Sequence, residues 1–389
     1  MLLVTVGVNA GVIKVKTVQI TLTERCNLSC VYCYEHMKDT RVMSLDVAKD
    51  IILRELKKFS DVDDHIQFEF HGGEILLEFE LLKNICEWMW KTDFDKPYTL
   101  FGMTNGTMMK GAIAEWFFKN KDRISLGVSF DGTPKMQDIN RSKSGSMVDL
   151  NFFKKCWPHS MVKMTLSPNT IENVYDGVIY LHSLGFDVIC NMAYGMKWPI
   201  SLLPKYKDNL MRLVEWYLSH PEMSVASVLS PFLSRIGYKR CHPGCKKGYK
   251  WCGVGEVGTC YSPSGLAYPC QCFMPSTLED GEKDYFSLID FYDHSKFVDP
   301  KCVKCPLLPS CATCCAHNYF MFGKVNLRPD DMCKFRQVEL YMAAVLWGQM
   351  LQSSEIYLST RQQSAEQLSL IAMGVLEIQK AYKEGRICK

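Results

Sequence analysis

Three thiols stand close together near the start of the chain, in the stretch TERCNLSCVYC: Cys26, Cys30 and Cys33. Thiolates are soft ligands that suit zinc and iron–sulfur clusters alike. A structural zinc site closes with four ligands. The triad therefore implies either a zinc loop completed by a distant fourth ligand, or a [4Fe-4S] cube with thiolates on three irons and the fourth open to a chelating molecule. A second set lies in the C-terminal half. Cys252, Gly265 and Cys270 form C-x12-G-x4-C, Cys302, Cys305, Cys311 and Cys315 form C-x2-C-x5-C-x3-C, and Cys333 follows.

Both sets need elements to hold them. From Thr17 onward, β-rich runs (TVQITL, IQFEF, YTLFGMT, ISLGVSF, MVKMTLS, DVICNMAY) alternate with apolar runs at helical spacing. Six βα units of this kind predict an α/β fold, a partial (β/α)6 TIM barrel spanning residues 17–230. The triad directly follows the first strand, on the barrel face where chemistry is usually assembled. Residues 1–16 read as a β-hairpin turning at Asn9, Ala10 and Gly11. Residues 231–334 are rich in Gly, Pro and Cys with little periodicity, the composition of a domain made rigid by metal. Residues 335–389 read as helices, a packing brace or an oligomer contact.

The totals narrow the class. Lys+Arg 45 against Asp+Glu 42 gives a near-balanced surface, which argues against nucleic-acid and membrane-surface partners. Nineteen cysteines, an odd number, fit a reducing compartment better than a secreted disulfide framework. The N-terminus lacks the layout of a signal peptide and no apolar run is long enough to span a bilayer, so a cytoplasmic location is expected.

The triad, with Tyr32 just before its last cysteine, resembles the signature of the radical S-adenosylmethionine superfamily. That resemblance implies a [4Fe-4S] cluster on Cys26, Cys30 and Cys33 whose open iron takes the methionyl amine and carboxylate of S-adenosyl-L-methionine. Cleavage of the cofactor then yields a 5′-deoxyadenosyl radical. HGGE, His71 to Glu74, resembles the family's Gly-Gly-Glu, in which backbone and carboxylate approach the methionyl ammonium, so Gly72, Gly73 and Glu74 become cofactor residues. TNG, Thr104 to Gly106, ends the third strand. SFDGTPKMQDINR resembles a family segment that places Ser129 and Asp131 near the ribose and Arg141 near the cofactor carboxylate. Ile75 and Gln137 depart from the family's common Pro and His.

The later cysteines resemble the SPASM domain of peptide-modifying radical enzymes, which holds two auxiliary Fe–S clusters. The resemblance assigns Cys252, Cys270 and Cys315 to the first, and Cys302, Cys305, Cys311 and Cys333 to the second, for three [4Fe-4S] clusters in all. CYSPSGLAYPC reads as a hairpin about Ser264 and Gly265 that puts Cys260 roughly opposite Cys270. Cys260 is thus expected as the fourth ligand of the first auxiliary cluster; the alternative is that it packs as a small hydrophobe and leaves an open iron. Cys241, Cys245, Cys272 and Cys314 fall outside the pattern, and Cys86, Cys156, Cys190 and Cys388 read as structural or incidental.

Gln271 bears on the reaction. Sulfatase maturases carry an acidic residue at the matching place to take a substrate proton, and an amide cannot do so. The expected function is therefore a peptide maturase that installs a thioether or carbon–carbon cross-link in a ribosomally made precursor. Formylglycine formation in a sulfatase is the alternative, and a non-catalytic zinc or Fe–S electron-transfer protein the alternative of a different class. The expected partners are a peptide or protein substrate and a reductant such as flavodoxin or ferredoxin. With about 16 residues before the barrel, leader recognition would fall to the hairpin, the C-terminal helices or a separate protein.

Overall fold

The structure, a computed structural model, describes residues 15–58, 65–241, 250, 252–256, 258–278, 285–353 and 364–388. The expected N-terminal hairpin lies largely outside these residues. Six strands alternate with helices as the sequence pattern predicts: β1 (Val15–Thr23), β2 (His65–Gly72), β3 (Tyr98–Thr104), β4 (Ser125–Ser129), β5 (Met161–Leu166) and β6 (Asp187–Met192). Between them run α1 (Leu45–Lys57), α2 (Phe79–Lys91), α3 (Gly111–Asn120), α4 (Pro134–Asn140), α5 (Leu150–Cys156) and α6 (Val174–Ser183), with α7 (Leu203–Ser219) after β6. The short α4 was not legible as an apolar run. It starts on the Thr133 side chain, which accepts from the Met136 amide, with Pro134 in its first turn.

All six strands pair in parallel. Val18, Ile20 and Leu22 of β1, Ile66, Phe68 and Phe70 of β2 and Val162, Met164 and Leu166 of β5 are buried in one apolar core with the helices. Period-2 alternation leaves Gln19, Glu69, His71 and Lys163 for the opposite face of the sheet. There Gln19 and Gln67 donate to the two oxygens of Glu69 at 3.1 and 2.6 Å.

The Cys-rich region enters this same sheet. Strand β7 (Gly258–Tyr261) pairs in parallel with β1, and β8 (Ala267–Tyr268) pairs antiparallel with β7. The order is β6-β5-β4-β3-β2-β1-β7-β8, so the eight-stranded sheet is open. At the β6 edge the Ser227 hydroxyl accepts from the Cys190 amide and donates to the Cys190 carbonyl, both at 2.8 Å, which satisfies edge groups that would otherwise be bare.

The C-terminal helices brace the barrel. Along α10 (Asp330–Gln352; α8 and α9 are Leu233–Cys241 and Cys315–Phe322), Asp331 accepts the Trp198 amide at 2.8 Å and Glu339 accepts the Tyr206 hydroxyl at 2.6 Å. Phe335, Val338 and Met342 join the barrel's own core. Helix α11 (Ala365–Lys383) crosses α8 at glycines. A Cβ on Gly237 would lie 2.1 Å from the Leu370 carbonyl oxygen, and one on Gly374 would lie 2.2 Å from that of Leu233. Alanine in a helix interior normally stabilises over glycine by about 1 kcal/mol. Here the added methyl meets backbone that cannot yield. Gly374→Ala is expected to destabilise the fold by about 1–3 kcal/mol, read as a lower denaturation midpoint; a raised midpoint would refute the close crossing.

Candidate metal centres

The triad loop leaves β1 at Thr23 and is tied down from three sides. The first tie is to β2. The Gly73 amide donates to the Thr23 carbonyl at 3.0 Å and the Glu74 amide to the Arg25 carbonyl at 2.9 Å. A Cβ on Gly72 would stand 2.5 Å from the Thr23 oxygen, and one on Gly73 would stand 2.4 Å from the Arg25 oxygen and 2.9 Å from Cys26 Cβ. Only glycine permits this approach. The second tie is to the segment after β3. Asn105 Nδ2 donates to Asn27 Oδ1 and Asn27 Nδ2 to Thr107 Oγ1, both at 2.9 Å. The third is to α4, where Asn140 O accepts the Val31 amide at 2.9 Å and Ser142 Oγ accepts the Ser29 amide at 2.8 Å. Ser142 adopts a positive φ of 52° to do so.

Glu74 is buried, and its carboxylate is already oriented. Oε1 accepts from the Leu76 amide at 3.0 Å and the Thr104 hydroxyl at 2.7 Å, while Oε2 accepts from the Asn105 amide at 2.7 Å. Burial raises its pKa, and these bonds and Arg141 oppose the rise. A carboxylate has about four acceptor directions, so one on Oε2 stays free. Beside the loop, the Lys38 amine keeps its charge against burial because Cys33 and Cys26 lie next to it, which raises its pKa.

Asp131, expected near the ribose, lies just past the end of β4. It is fully buried. One oxygen accepts from Arg141 Nε at 2.9 Å, Asn140 Nδ2 at 3.1 Å and the Tyr32 hydroxyl, and the other accepts the Thr165 amide at 2.8 Å. It is a hub beneath the triad loop, holding Tyr32 and Arg141, whose guanidinium carbon lies 5.3 Å from the Tyr32 ring centre. Gln137 takes part in this hub: its Oε1 accepts the Asp131 amide at 2.8 Å and its Nε2 donates to Ser144 at 2.9 Å. Ser129 ends β4, its backbone in register with Lys163. Lys163 itself is exposed on that face.

Comparison with known proteins agrees with this geometry. A profile of the radical SAM superfamily matches residues 20–198, from β1 through the triad to the segment after β6. Residues 20–198 belong to the radical SAM superfamily. An uncharacterized protein of Methanocaldococcus jannaschii, MJ0907, is 34% identical over 134 residues, which is 34% of this chain and 44% of that protein. The antilisterial bacteriocin subtilosin biosynthesis protein AlbA of Bacillus subtilis is 25% identical over 266 residues, 65% of this chain and 54% of AlbA. The chain thus spans about half the length of these curated relatives. Two solved structures share the fold. One is anSMEcpe with bound AdoMet (TM-score 0.64, 18% identity, 89% of this chain and 98% of that one). The other is Streptococcus suis SuiB bound to S-adenosylmethionine (TM-score 0.52, 13% identity, 81% and 76%).

Beyond the radical SAM domain, Cys302, Cys305, Cys311 and Cys333 line one cavity together with Arg328 and Arg336. Burial pushes the Cys302 thiol up to about 11, and Arg328 opposes the rise. Arg328 Nε and Nη2 and Arg336 Nε are buried with no hydrogen-bond partner among the described residues. Unpaired cationic donors in a low-dielectric site are costly unless an anion joins them. A thiolate-ligated Fe–S cluster is such an anion, so the donor set fits one. No group of three or more His, Cys, Asp or Glu side chains among the described residues is placed to hold a single metal ion; the ligands of a cube bind separate irons and need not converge on one point. None of the described cysteines is in a disulfide.

Cys252, Cys270 and Cys315 gather in a second apolar cluster with Phe273 and Phe291, and Cys272 and Cys314 join them there. Cys260 does not. The β7–β8 register pairs Cys260 with Tyr268, which leaves Cys270 two residues past its partner rather than across from it. Cys260 packs instead with Tyr268 and Met274. Cys86, Cys156 and Cys190 are buried in the barrel core, Cys241 is exposed, and Cys245 lies outside the described residues. The sequence assigned no role to Asn27, Asn140, Ser142 or Lys38, and marked Asn105 only as the middle of TNG. Arg328 and Arg336, which flank Cys333 in RPDDMCKFR, were the one signal open to it. No described helix is long and apolar enough to cross a membrane.

Asp131→Ala would strand the Arg141 guanidinium without its counter-charge. Breaking a buried pair from one side costs about 3–5 kcal/mol, so chemical denaturation is expected to show a loss of that size. A loss below about 1 kcal/mol, the worth of a surface pair, would refute the hub.

Proposed function

We propose that this chain is a radical SAM peptide maturase with a SPASM-like region, acting in the cytoplasm on a ribosomally made precursor peptide to form a thioether or carbon–carbon cross-link. The observation that carries the reading is the triad loop itself. Three thiols at the C-terminal end of β1 are held by glycines that admit no side chain, beside a buried carboxylate with a free acceptor direction. A [4Fe-4S] cluster on Cys26, Cys30 and Cys33 with bound S-adenosyl-L-methionine supplies reductive cleavage to a 5′-deoxyadenosyl radical.

The chain's own residues then have separate tasks. Cys26, Cys30 and Cys33 bind the cluster, and Gly72 and Gly73 let the β2 end close on the loop. The free direction of Glu74 Oε2 receives the methionyl ammonium. Ser129 contributes a hydroxyl at the end of β4 toward the ribose. Arg141, oriented by Asp131 and Tyr32, supplies its remaining donors to the cofactor carboxylate. Glu69, His71 and Lys163 occupy the sheet face opposite the helices and give the substrate a polar, charged wall. Cys302, Cys305, Cys311 and Cys333 hold one auxiliary cluster and the Cys252, Cys270 and Cys315 set a second. A flavodoxin or ferredoxin would supply the electrons. AlbA is named for bacteriocin biosynthesis and SuiB has been solved bound to the precursor peptide SuiA, which favours a peptide substrate here. Gln271 disfavours the formylglycine alternative.

Anaerobically reconstituted protein is expected to carry about twelve irons per chain and to release 5′-deoxyadenosine from S-adenosyl-L-methionine under reduction. Cys30→Ala should abolish that release while keeping about eight irons; zinc in place of iron would refute the assignment. Gly73→Ala should behave like Cys30→Ala, because its methyl collides with the Arg25 backbone. Co-expression with a cysteine-bearing precursor peptide should lower the peptide's mass by a pair of hydrogens per cross-link. Conversion of a sulfatase Cys or Ser to formylglycine instead would favour the alternative.

A further inference from the structure

We propose that Arg328 and Arg336 raise the reduction potential of the auxiliary cluster on Cys302, Cys305, Cys311 and Cys333, which makes it the more readily reduced of the two auxiliary clusters. This inference rests on the reading that the chain binds auxiliary clusters.

Arg328 is a buried cation with no counter-charge among the described residues. It is 7% exposed and lines the cavity shared by the four thiols. Its Nη1 donates to the Cys311 carbonyl at 3.2 Å, while Nε and Nη2 have no hydrogen-bond partner among the described residues. The carboxylate next to its backbone, Asp299, is engaged elsewhere. Oδ2 accepts the Arg328 amide at 2.8 Å and lies 3.6 Å from Lys301 Nζ, and Oδ1 accepts the Lys301 amide at 3.0 Å. These bonds fix the Arg328 backbone against the turn Pro300–Cys302. Arginine does not deprotonate in proteins, so its charge stays in the cavity. Arg336 lines the same cavity but is partly neutralised: it pairs with Glu339, and its Nε has no hydrogen-bond partner among the described residues.

The first set has different surroundings. Cys252, Cys270 and Cys315 lie in the apolar cluster of Phe273, Phe291 and Phe297. Lys250, whose Nζ donates to the Phe291 carbonyl at 2.8 Å and the Val254 carbonyl at 2.7 Å, is paired with Glu256. The cation on that side therefore brings little net charge. Reduction of a thiolate-ligated cube adds one electron, lost by the reductant, with no bond made or broken and no proton moved. Net charge and hydrogen bonds to the sulfurs both set the potential, and buried charges are little screened by salt. Unpaired guanidinium donors beside one cube and not the other thus favour the reduced form of that cube.

The test uses the full chain with Cys26, Cys30 and Cys33 all replaced by Ala, so that only auxiliary iron is counted, about eight per chain after anaerobic reconstitution. Both midpoints are read by EPR during a dithionite titration, and the signal of the second set is the one that Cys305→Ala perturbs. In the parent that signal is expected at the higher potential. Arg328→Gln should lower its midpoint until the oxidised-to-reduced ratio at the parent's midpoint rises about tenfold, a shift of about 59 mV for a one-electron couple. Glu339→Gln, which removes the counter-charge of Arg336, should raise the same midpoint, and neither variant should move the other cluster. A role in packing alone would change iron content without shifts of opposite sign. Unchanged midpoints in both variants with iron retained, or a second-set signal at the lower potential in the parent, would overturn the proposal. If Arg328→Gln loses its cluster, Glu339→Gln decides: a midpoint that stays or falls there overturns it equally. A parent without iron would instead overturn the auxiliary-cluster reading, and this inference with it.

Discussion

The contact on which the site depends is the close approach of two glycines to a loop. Gly72 and Gly73 at the end of β2 lie so near the Thr23 and Arg25 carbonyls that any side chain would collide. The two amide hydrogen bonds that follow bind the triad loop to the parallel sheet. A loop of short polar residues would otherwise sample many conformations, and fixing each residue costs about 1–2 kcal/mol. Here the rigid ladder between β1 and β2 bears that cost, and the register shift between Thr21 and Thr23 re-aims the chain at the point where the loop begins.

Buried charge does the rest of the positioning. Asp131 gathers an arginine, a tyrosine, an asparagine and a backbone amide, so its ionised form is fully hydrogen-bonded although it is out of water. At the other metal cavity the balance is left incomplete. Arg336 is paired with Glu339 and Arg328 donates to the Cys311 carbonyl, yet both keep further buried donors without a partner among the described residues, beside four thiols. In both places a buried arginine stands beside cysteines, with part of its charge already met by a carboxylate, Asp131 for Arg141 and Glu339 for Arg336.

Much of this was legible from local pattern. Strand alternation and helical spacing predicted six βα units because each strand must bury one face under its own helix, and Val18, Ile20 and Leu22 do so. The triad and the Cys302, Cys305 and Cys311 run stood out because their thiols lie within one short segment, and the structure brings Cys333 to the same cavity as the latter. Other features were not. Helix α4 has only seven residues and depends on a Thr133 cap rather than an apolar stripe. Gln137 looked like a departure from the family, yet it fills a capping position under Asp131 that an amide serves well. The hairpin was marked by its turn residues but its register was not: Cys260 pairs with Tyr268, so Cys270 lies two residues past its partner.

By itself the sequence determined the chemistry on offer: soft thiolates in two spaced sets, glycines before a glutamate, and a six-unit α/β scaffold to carry them. These follow from residue type and short-range spacing, which survive any arrangement of the rest of the chain. Only the tertiary structure decided which thiols share a site, that Asp131 supports the loop from below, that the Cys-rich hairpin extends the barrel sheet, and that α11 closes on α8 through paired glycines. Each of these depends on residues far apart in sequence meeting in one register or one crossing, and such meetings are set by sheet pairing and packing rather than by any local signal.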